Sequence, residues 1–225
     1  MQVISLVLIP LLVSVLTLLL HRQPRLQHSV SIAGALILLI NALWLLSIVV
    51  RQDSISVAMG NWPLPYAIEF VADRLSAIMV LITAALGLGV LVYGKGMPES
   101  ADASPMTLPL VHGLLAAVCG TVLTADLFNL YVWFELMLIT VLGLLIVHGG
   151  LRNLEAAFKY FALNLLGTLL FLLAVALIYG ATGQLNFSGL AEAVQRPDLQ
   201  TSVPVYAALL LTAFLLKAAA FPLYF

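Results

Sequence analysis

Two charged side chains stand where hydrocarbon is expected. Glu135 lies in the middle of the apolar stretch Leu127–Val147, about eight helical rises from its start and therefore roughly 12 Å deep. Lys217 lies thirteen residues past Pro204 in the apolar stretch Pro204–Phe225, about 20 Å along its helix. A charge at the centre of a bilayer costs about 3 kcal/mol on insertion scales. A leucine would suit either helix better, so a partner, water or neutralisation must compensate. A carboxylate and an ammonium on different helices stabilise each other's charged form, and neutralising one disturbs the other. That is the chemistry of a charge-coupled proton path. The plainer readings are a structural ion pair or protonated filler for Glu135, and a lysine that snorkels from a packing kink for Lys217.

Other polar residues surround these two. Tyr131 precedes Glu135 by four residues, on the same helix face, where its hydroxyl can orient the carboxylate or serve as an interfacial aromatic. Lys217 is followed by Ala218, Ala219, Ala220, Phe221 and Pro222. Pro222 lacks the N–H that would bond the Ala218 carbonyl. Broken helices with free carbonyls mark ion sites in many transporters, and small residues admit close neighbours. Lys159 is about five residues into its helix and pairs by spacing with Glu155, as an interfacial ion pair or as a proton relay. Asp126 reads as a helix N-cap. His112 reads as an interfacial or packing histidine. Asn164 and Thr168, four residues apart, are expected to hydrogen-bond neighbouring helices.

The elements that must position these residues are membrane-spanning helices. The chain is 63% hydrophobic and 8% charged, against about 25% charged in an ordinary soluble domain. Too few charges remain for a water-facing shell, so the solvent is lipid. The net charge of −1 leaves no basic footprint for nucleic acid. A lone Cys119 forms no internal disulfide, and no CxxC or Cys/His cluster suggests a metal centre. No Lys or Arg precedes the first apolar core, which therefore reads as a permanent span rather than a cleaved signal.

A span needs about 20 mainly apolar residues. Seven stretches qualify: Met1–Leu20, Ser29–Val50, Leu75–Gly94, Met106–Leu123, Leu127–Val147, Leu154–Tyr179 and Pro204–Phe225. Arg51–Asp73 reads as a long loop with a turn-forming run through Gly60, Pro63 and Pro65. Gly94–Pro105 holds Lys95, Glu99 and Asp102. Thr124–Asp126 is so short that spans four and five must be antiparallel neighbours. Ala181–Val203 reads as a polar loop. The loops after spans one, three and five carry four basic residues, against two on the opposite side, which favours an outside N-terminus. The chain stops inside an apolar stretch that nothing in the sequence caps, which reads as a fragment of a longer protein.

The residues now assembled resemble a known family. Thr124-Ala-Asp-Leu-Phe-Asn-Leu-Tyr-Val-Trp-Phe-Glu135 is similar to the fifth-helix signature of the antiporter-like subunits shared by Mrp-type cation/proton antiporters and respiratory complex I. Glu155-Ala-Ala-Phe-Lys159-Tyr-Phe-Ala-Leu-Asn164 resembles the start of the family's sixth helix, and Phe214-Leu-Leu-Lys217-Ala-Ala-Ala-Phe-Pro222 its broken seventh. Gly60-Asn-Trp-Pro-Leu-Pro-Tyr and Phe70-Val-Ala-Asp73-Arg-Leu-Ser most resemble the D-type subunit of the Mrp antiporter.

The resemblance implies an all-α polytopic bundle and an incomplete antiporter-like fold. Residues 1–105 would form three N-terminal helices, and residues 106–225 a first repeat truncated in helix seven. It implies that Glu135 and Lys217 are central proton-pathway residues and Lys159 a relay. It also implies a hetero-oligomer in the cytoplasmic membrane of a bacterium, exchanging Na+ for H+. The residues themselves show no motif for a bound cofactor or metal. The competing readings are a proton-pumping subunit of an NADH-quinone oxidoreductase, whose redox chemistry would sit on other subunits, and a structural membrane subunit that moves no ions. An intramembrane hydrolase fits poorly: His21 and His28 fall in the first loop, and His112 and His148 near helix ends.

Overall fold

In the computed structural model the chain is described over residues 2–62, 66–96, 104–147 and 149–221. Pro63, Leu64, Pro65, Glu99, Asp102, His148 and Pro222 lie outside these residues. Eight α-helices follow in order: α1 (Gln2–Leu19), α2 (Pro24–Gln52), α3 (Arg74–Gly96), α4 (Thr107–Leu123), α5 (Leu127–Ile146), α6 (Leu151–Thr182), α7 (Phe187–Ala193) and α8 (Val203–Lys217). Four are long and apolar enough to cross a bilayer (α2, α3, α5 and α6), while Val3–Leu19, Thr107–Leu123 and Val203–Lys217 are shorter apolar helices. The chain is a multi-pass membrane protein.

Two stretches read as loops carry structure. Arg51–Asp73 contains a β-hairpin, β1 (Ser54–Ala58) against β2 (Glu69–Asp73), in antiparallel register from Ser54↔Asp73 to Ala58↔Glu69. Alternation along β2 is the cause: Phe70 and Ala72 turn inward onto the bundle while Glu69, Val71 and Asp73 do not. Within Ala181–Val203 lies α7, too short and too polar to register as a span. Asp73 then starts α3. Its carboxylate accepts from the Ser76 N–H at 2.7 Å, while the Asp73 N–H donates to Ser76 Oγ at 2.8 Å, a reciprocal cap.

Besides a small cluster of Ala35, Leu91 and Leu108 between α2, α3 and α4, the described helices share two larger cores. One joins α1 to α4 and the hairpin through Leu6, Leu45, Phe70, Val80, Cys119 and Leu123. The other joins α5, α6 and α8 through Leu130, Phe171, Val175 and Ala213. The seam between them is the antiparallel pair α4–α5, as the brevity of Thr124–Asp126 requires. Three glycines make that seam tight: a Cβ on Gly120 would sit 2.3 Å from the Trp133 ring, one on Gly113 2.8 Å from Thr140 Cγ2, and one on Gly143 2.7 Å from Leu110 Cδ2.

The connection between the cores is also pinned from outside. The Ala125 N–H donates to the Glu69 carbonyl at 2.9 Å, the Phe187 N–H to Ala125 at 2.8 Å, and the Leu127 N–H to Leu185 at 2.9 Å. The first residues of α5 are therefore laced between the hairpin and the segment that links α6 to α7. Backbone groups that a helix start leaves unpaired are satisfied here by other strands of chain.

Candidate functional site

The site is built on α5, α6 and α8. Asp126 caps α5: its carboxylate accepts from the Asn129 N–H at 2.7 Å, and Asn129 Nδ2 donates to Thr124 Oγ1 at 2.9 Å. That cap fixes where the helix begins, and Glu135 follows two and a half turns later. On α6, Gly167 faces α8. A Cβ there would lie 3.4 Å from Leu216 Cβ and 3.6 Å from Lys217 Cγ, ordinary packing distances that put the lysine stem directly against α6. Phe134, Phe171 and Phe214, one from each helix, meet edge to face with centroids 5.5 to 6.1 Å apart. They form the apolar floor of the site.

Above that floor three polar side chains meet. Thr168 Oγ1 donates to Glu135 Oε1 at 2.8 Å. Lys217 Nζ donates to Thr168 Oγ1 at 3.0 Å. Lys217 Nζ and Glu135 Oε1 are themselves 3.9 Å apart, beyond a hydrogen bond but within ion-pair range. The ammonium also lies 5.0 Å from the Phe134 ring centroid, a cation–π contact. The Lys217 and Glu135 side chains are 10% and 28% exposed, whereas the other ion pairs among the described residues are at least 48% exposed on both sides. An exposed pair contributes little. A sheltered one binds strongly to its partner and is costly to break.

The structure thus brings Glu135 and Lys217 together and leaves Lys159 elsewhere. Lys159 Nζ bonds Glu155 Oε1 at 2.6 Å, with both side chains about two-thirds exposed. It sits nine residues before Thr168, about 14 Å along α6. Tyr131 packs beside Phe128, with centroids 5.8 Å apart, in the α5–α6–α8 core; the hydroxyl that bonds Glu135 belongs to Thr168. Of the polar pair on α6, Asn164 Nδ2 donates to the Tyr160 carbonyl in its own helix, and Thr168 alone reaches across. His112 is fully buried and bonds Ser31 Oγ at 2.8 Å between α4 and α2, within the other core.

The break in α8 comes earlier than a proline at position 222 implies. The helix ends at Lys217 with Ala218 as its C-cap. The Ala219 N–H donates to the Leu216 carbonyl at 3.2 Å and the Ala220 N–H to Leu215 at 3.0 Å. This is the Schellman pattern, with Ala219 at φ +48° in the left-handed region where glycine is usual. The end that the sequence left uncapped is closed by backbone alone, directly after the lysine.

Comparison with known proteins shows what the chain is similar to. Residues 124–225 match the family described as NADH:quinone oxidoreductase/Mrp antiporter, transmembrane. The chain is 34% identical over 220 residues to the D-type subunit of the Na(+)/H(+) antiporter of Bacillus subtilis (strain 168), covering 97% of this chain and 44% of that protein. It is 43% identical over 169 residues to the D-type subunit of a probable K(+)/H(+) antiporter of Rhizobium meliloti (strain 1021), covering 74% of this chain and 31% of that protein. The chain therefore spans less than half the length of these relatives. Among solved structures it overlays a chain of the Mrp complex from Dietzia sp. DQ12-45-1b with a TM-score of 0.85 and 31% identity, over 98% of this chain and 42% of that one. It overlays a chain of the membrane-bound sulfane sulfur reductase, an archaeal respiratory membrane complex, with a TM-score of 0.91 and 27% identity, over 99% and 46%.

Proposed function

Because this chain belongs to the antiporter-like membrane subunits that Mrp antiporters share with NADH:quinone oxidoreductase, we propose that it is a proton-translocating subunit of a multisubunit monovalent cation/proton antiporter. Glu135 and Lys217 are its central charge pair. Lys159, with Glu155, hands protons toward that pair from the α6 entrance. The cation is Na+ or K+, the two borne in the names of its relatives. The partners are the other membrane subunits of the complex. The chain resides in the cytoplasmic membrane of a bacterium with its N-terminus outside, and residues 106–225 form the first antiporter-like repeat.

The observation that carries this reading is the sheltered Glu135–Thr168–Lys217 contact. With both groups charged, the pair is neutral as a unit and tolerable in hydrocarbon. When a proton neutralises Glu135, Lys217 becomes an uncompensated charge that costs about 3 kcal/mol in the bilayer centre. The lysine must then move, find water or give up its own proton. One protonation event on α5 thereby changes the charge balance or the position of a side chain on α8, which is what coupling to a cation requires.

The test is cation-dependent proton flux in everted vesicles that carry the assembled complex, read with a pH-gradient dye. Glu135→Gln and Lys217→Met are each expected to abolish flux at unchanged abundance in the membrane. Flux at the parent level in Glu135→Gln removes that residue, and with it this reading. A second reading, a membrane subunit of a respiratory redox assembly, draws on the overlay with the sulfane sulfur reductase chain. Purification of the intact complex separates the two: small antiporter subunits accompany the chain in the first case, and redox subunits in the second.

A further inference from the structure

Every threonine beyond the first turn of a described helix, except one, returns its hydroxyl to its own backbone. Thr17, Thr83, Thr121, Thr140, Thr182 and Thr212 each donate to the carbonyl four residues back, at 2.7 to 2.9 Å. In a bilayer this is the default, because no water competes for the hydroxyl proton. Thr168 is the exception: its hydroxyl donates across the helix interface to Glu135 and accepts from Lys217. We propose that Thr168 is the relay through which a proton passes between Lys217 and Glu135, a role resting on the reading of those two residues as the charge pair.

The geometry leaves few alternatives for the direct step. The ammonium nitrogen and the carboxylate oxygen are 3.9 Å apart, too far for proton transfer along one hydrogen bond. Through the hydroxyl both steps are hydrogen bonds, 3.0 Å and then 2.8 Å. A hydroxyl donates one proton and accepts through two lone pairs, so it carries both bonds at once. In the transfer, a Lys217 N–H bond breaks as an O–H bond forms on Thr168. The original Thr168 O–H bond breaks as an O–H bond forms on Glu135. Ammonium and carboxylate become amine and carboxylic acid, Thr168 remains a neutral hydroxyl, and the net charge of the site stays zero. When Glu135 is protonated the Thr168 hydroxyl is free to turn back to the Asn164 carbonyl, the local acceptor its counterparts already use. The relay then opens.

The experiment compares Thr168→Val, which keeps the shape and removes the hydroxyl, with Thr168→Ser, which keeps the hydroxyl and removes the methyl. Both are measured in everted vesicles of the assembled complex beside Glu135→Gln. Thr168→Val is expected to lower cation-dependent proton flux by at least about tenfold, while Thr168→Ser keeps flux within about twofold of the parent. The infrared carboxyl band that disappears in Glu135→Gln is expected to shift in Thr168→Val and to keep its position in Thr168→Ser. Flux near the parent level in Thr168→Val, with Glu135→Gln inactive, overturns the relay and leaves the charge pair standing. Equal loss in the valine and serine variants also overturns it, because packing rather than the hydroxyl is then at stake. Full flux in Glu135→Gln brings down the underlying reading instead.

Discussion

Asp73 shows how one side chain, just ahead of an apolar span, sets where a helix starts. It accepts from both the Ser76 N–H and the Ser76 hydroxyl. Its pKa is held below the ordinary carboxylate value, first by the backbone hydrogen bond from Ser76 and then by its hydroxyl. A carboxyl with a lowered folded-state value stabilises the fold fully above its unfolded value. That contribution is lost as the pH falls through the folded-state value. Asp73→Ala is expected to lower stability at neutral pH by about 1 kcal/mol or less, the usual worth of an exposed cap. The deficit should close only below pH ~4. Thermal unfolding in detergent across a pH series checks both statements. At this scale Asp126 was legible as a cap, since an acidic residue ahead of an apolar run is a local signal. Glu135 and Lys217 were legible because a charge within an apolar stretch stands out from its neighbours. Thr168 was only half legible: its type predicts a hydrogen bond, but not whether the acceptor is its own carbonyl or a carboxylate 33 residues away.

At the scale of elements, apolar length located seven helices, four of them long enough to span and three shorter, and spacing identified which residues share a face. The hairpin and α7 were not visible that way, because their residues alternate or run too briefly to stand out beside spans of twenty. The position of the α8 break shows the same limit. Proline chemistry points to residue 222, while the backbone turns at Ala219, where an alanine takes a left-handed conformation at φ +48°. Such a conformation costs a non-glycine residue about 1–2 kcal/mol. Glycine would remove that cost but adds about 0.4–1 kcal/mol of unfolded-chain entropy. Ala219→Gly is therefore expected to raise stability slightly, by about 0.5 kcal/mol. Ala219→Val should lower it, since a branched Cβ fits the left-handed region worse. Unfolding in mixed micelles orders the variants Gly, Ala, Val from most to least stable. A valine variant as stable as the parent would show that the turn does not hold this shape in the membrane.

Across the whole molecule, the two cores meet at one interface, and its tightness decides whether they act together. Gly120 on α4 faces the Trp133 ring so closely that a Cβ would fall 2.3 Å from it. The ring in turn packs on Phe70 of the hairpin with centroids 6.4 Å apart. Trp133 precedes Glu135 by two residues on α5, so a side chain that pushes the ring away from α4 pushes on the helix that carries the carboxylate. Large residues forced into a filled interior typically cost about 1–3 kcal/mol. Gly120→Leu is accordingly expected to lower thermal stability in detergent and to reduce proton flux, although the nearest atoms to the new Cβ belong to Trp133 and not to the three side chains at the site. If the cause is displacement of the ring, making room for the new side chain should reverse it. Gly120→Leu with Trp133→Ala should then recover part of the stability lost in Gly120→Leu, even though Trp133→Ala alone leaves a cavity and is itself destabilising. This non-additivity is the signature of direct contact. Strictly additive losses in the double variant would mean that α4 and α5 do not meet at this point, and the coupling of the hairpin to the Glu135 helix would have to run another way.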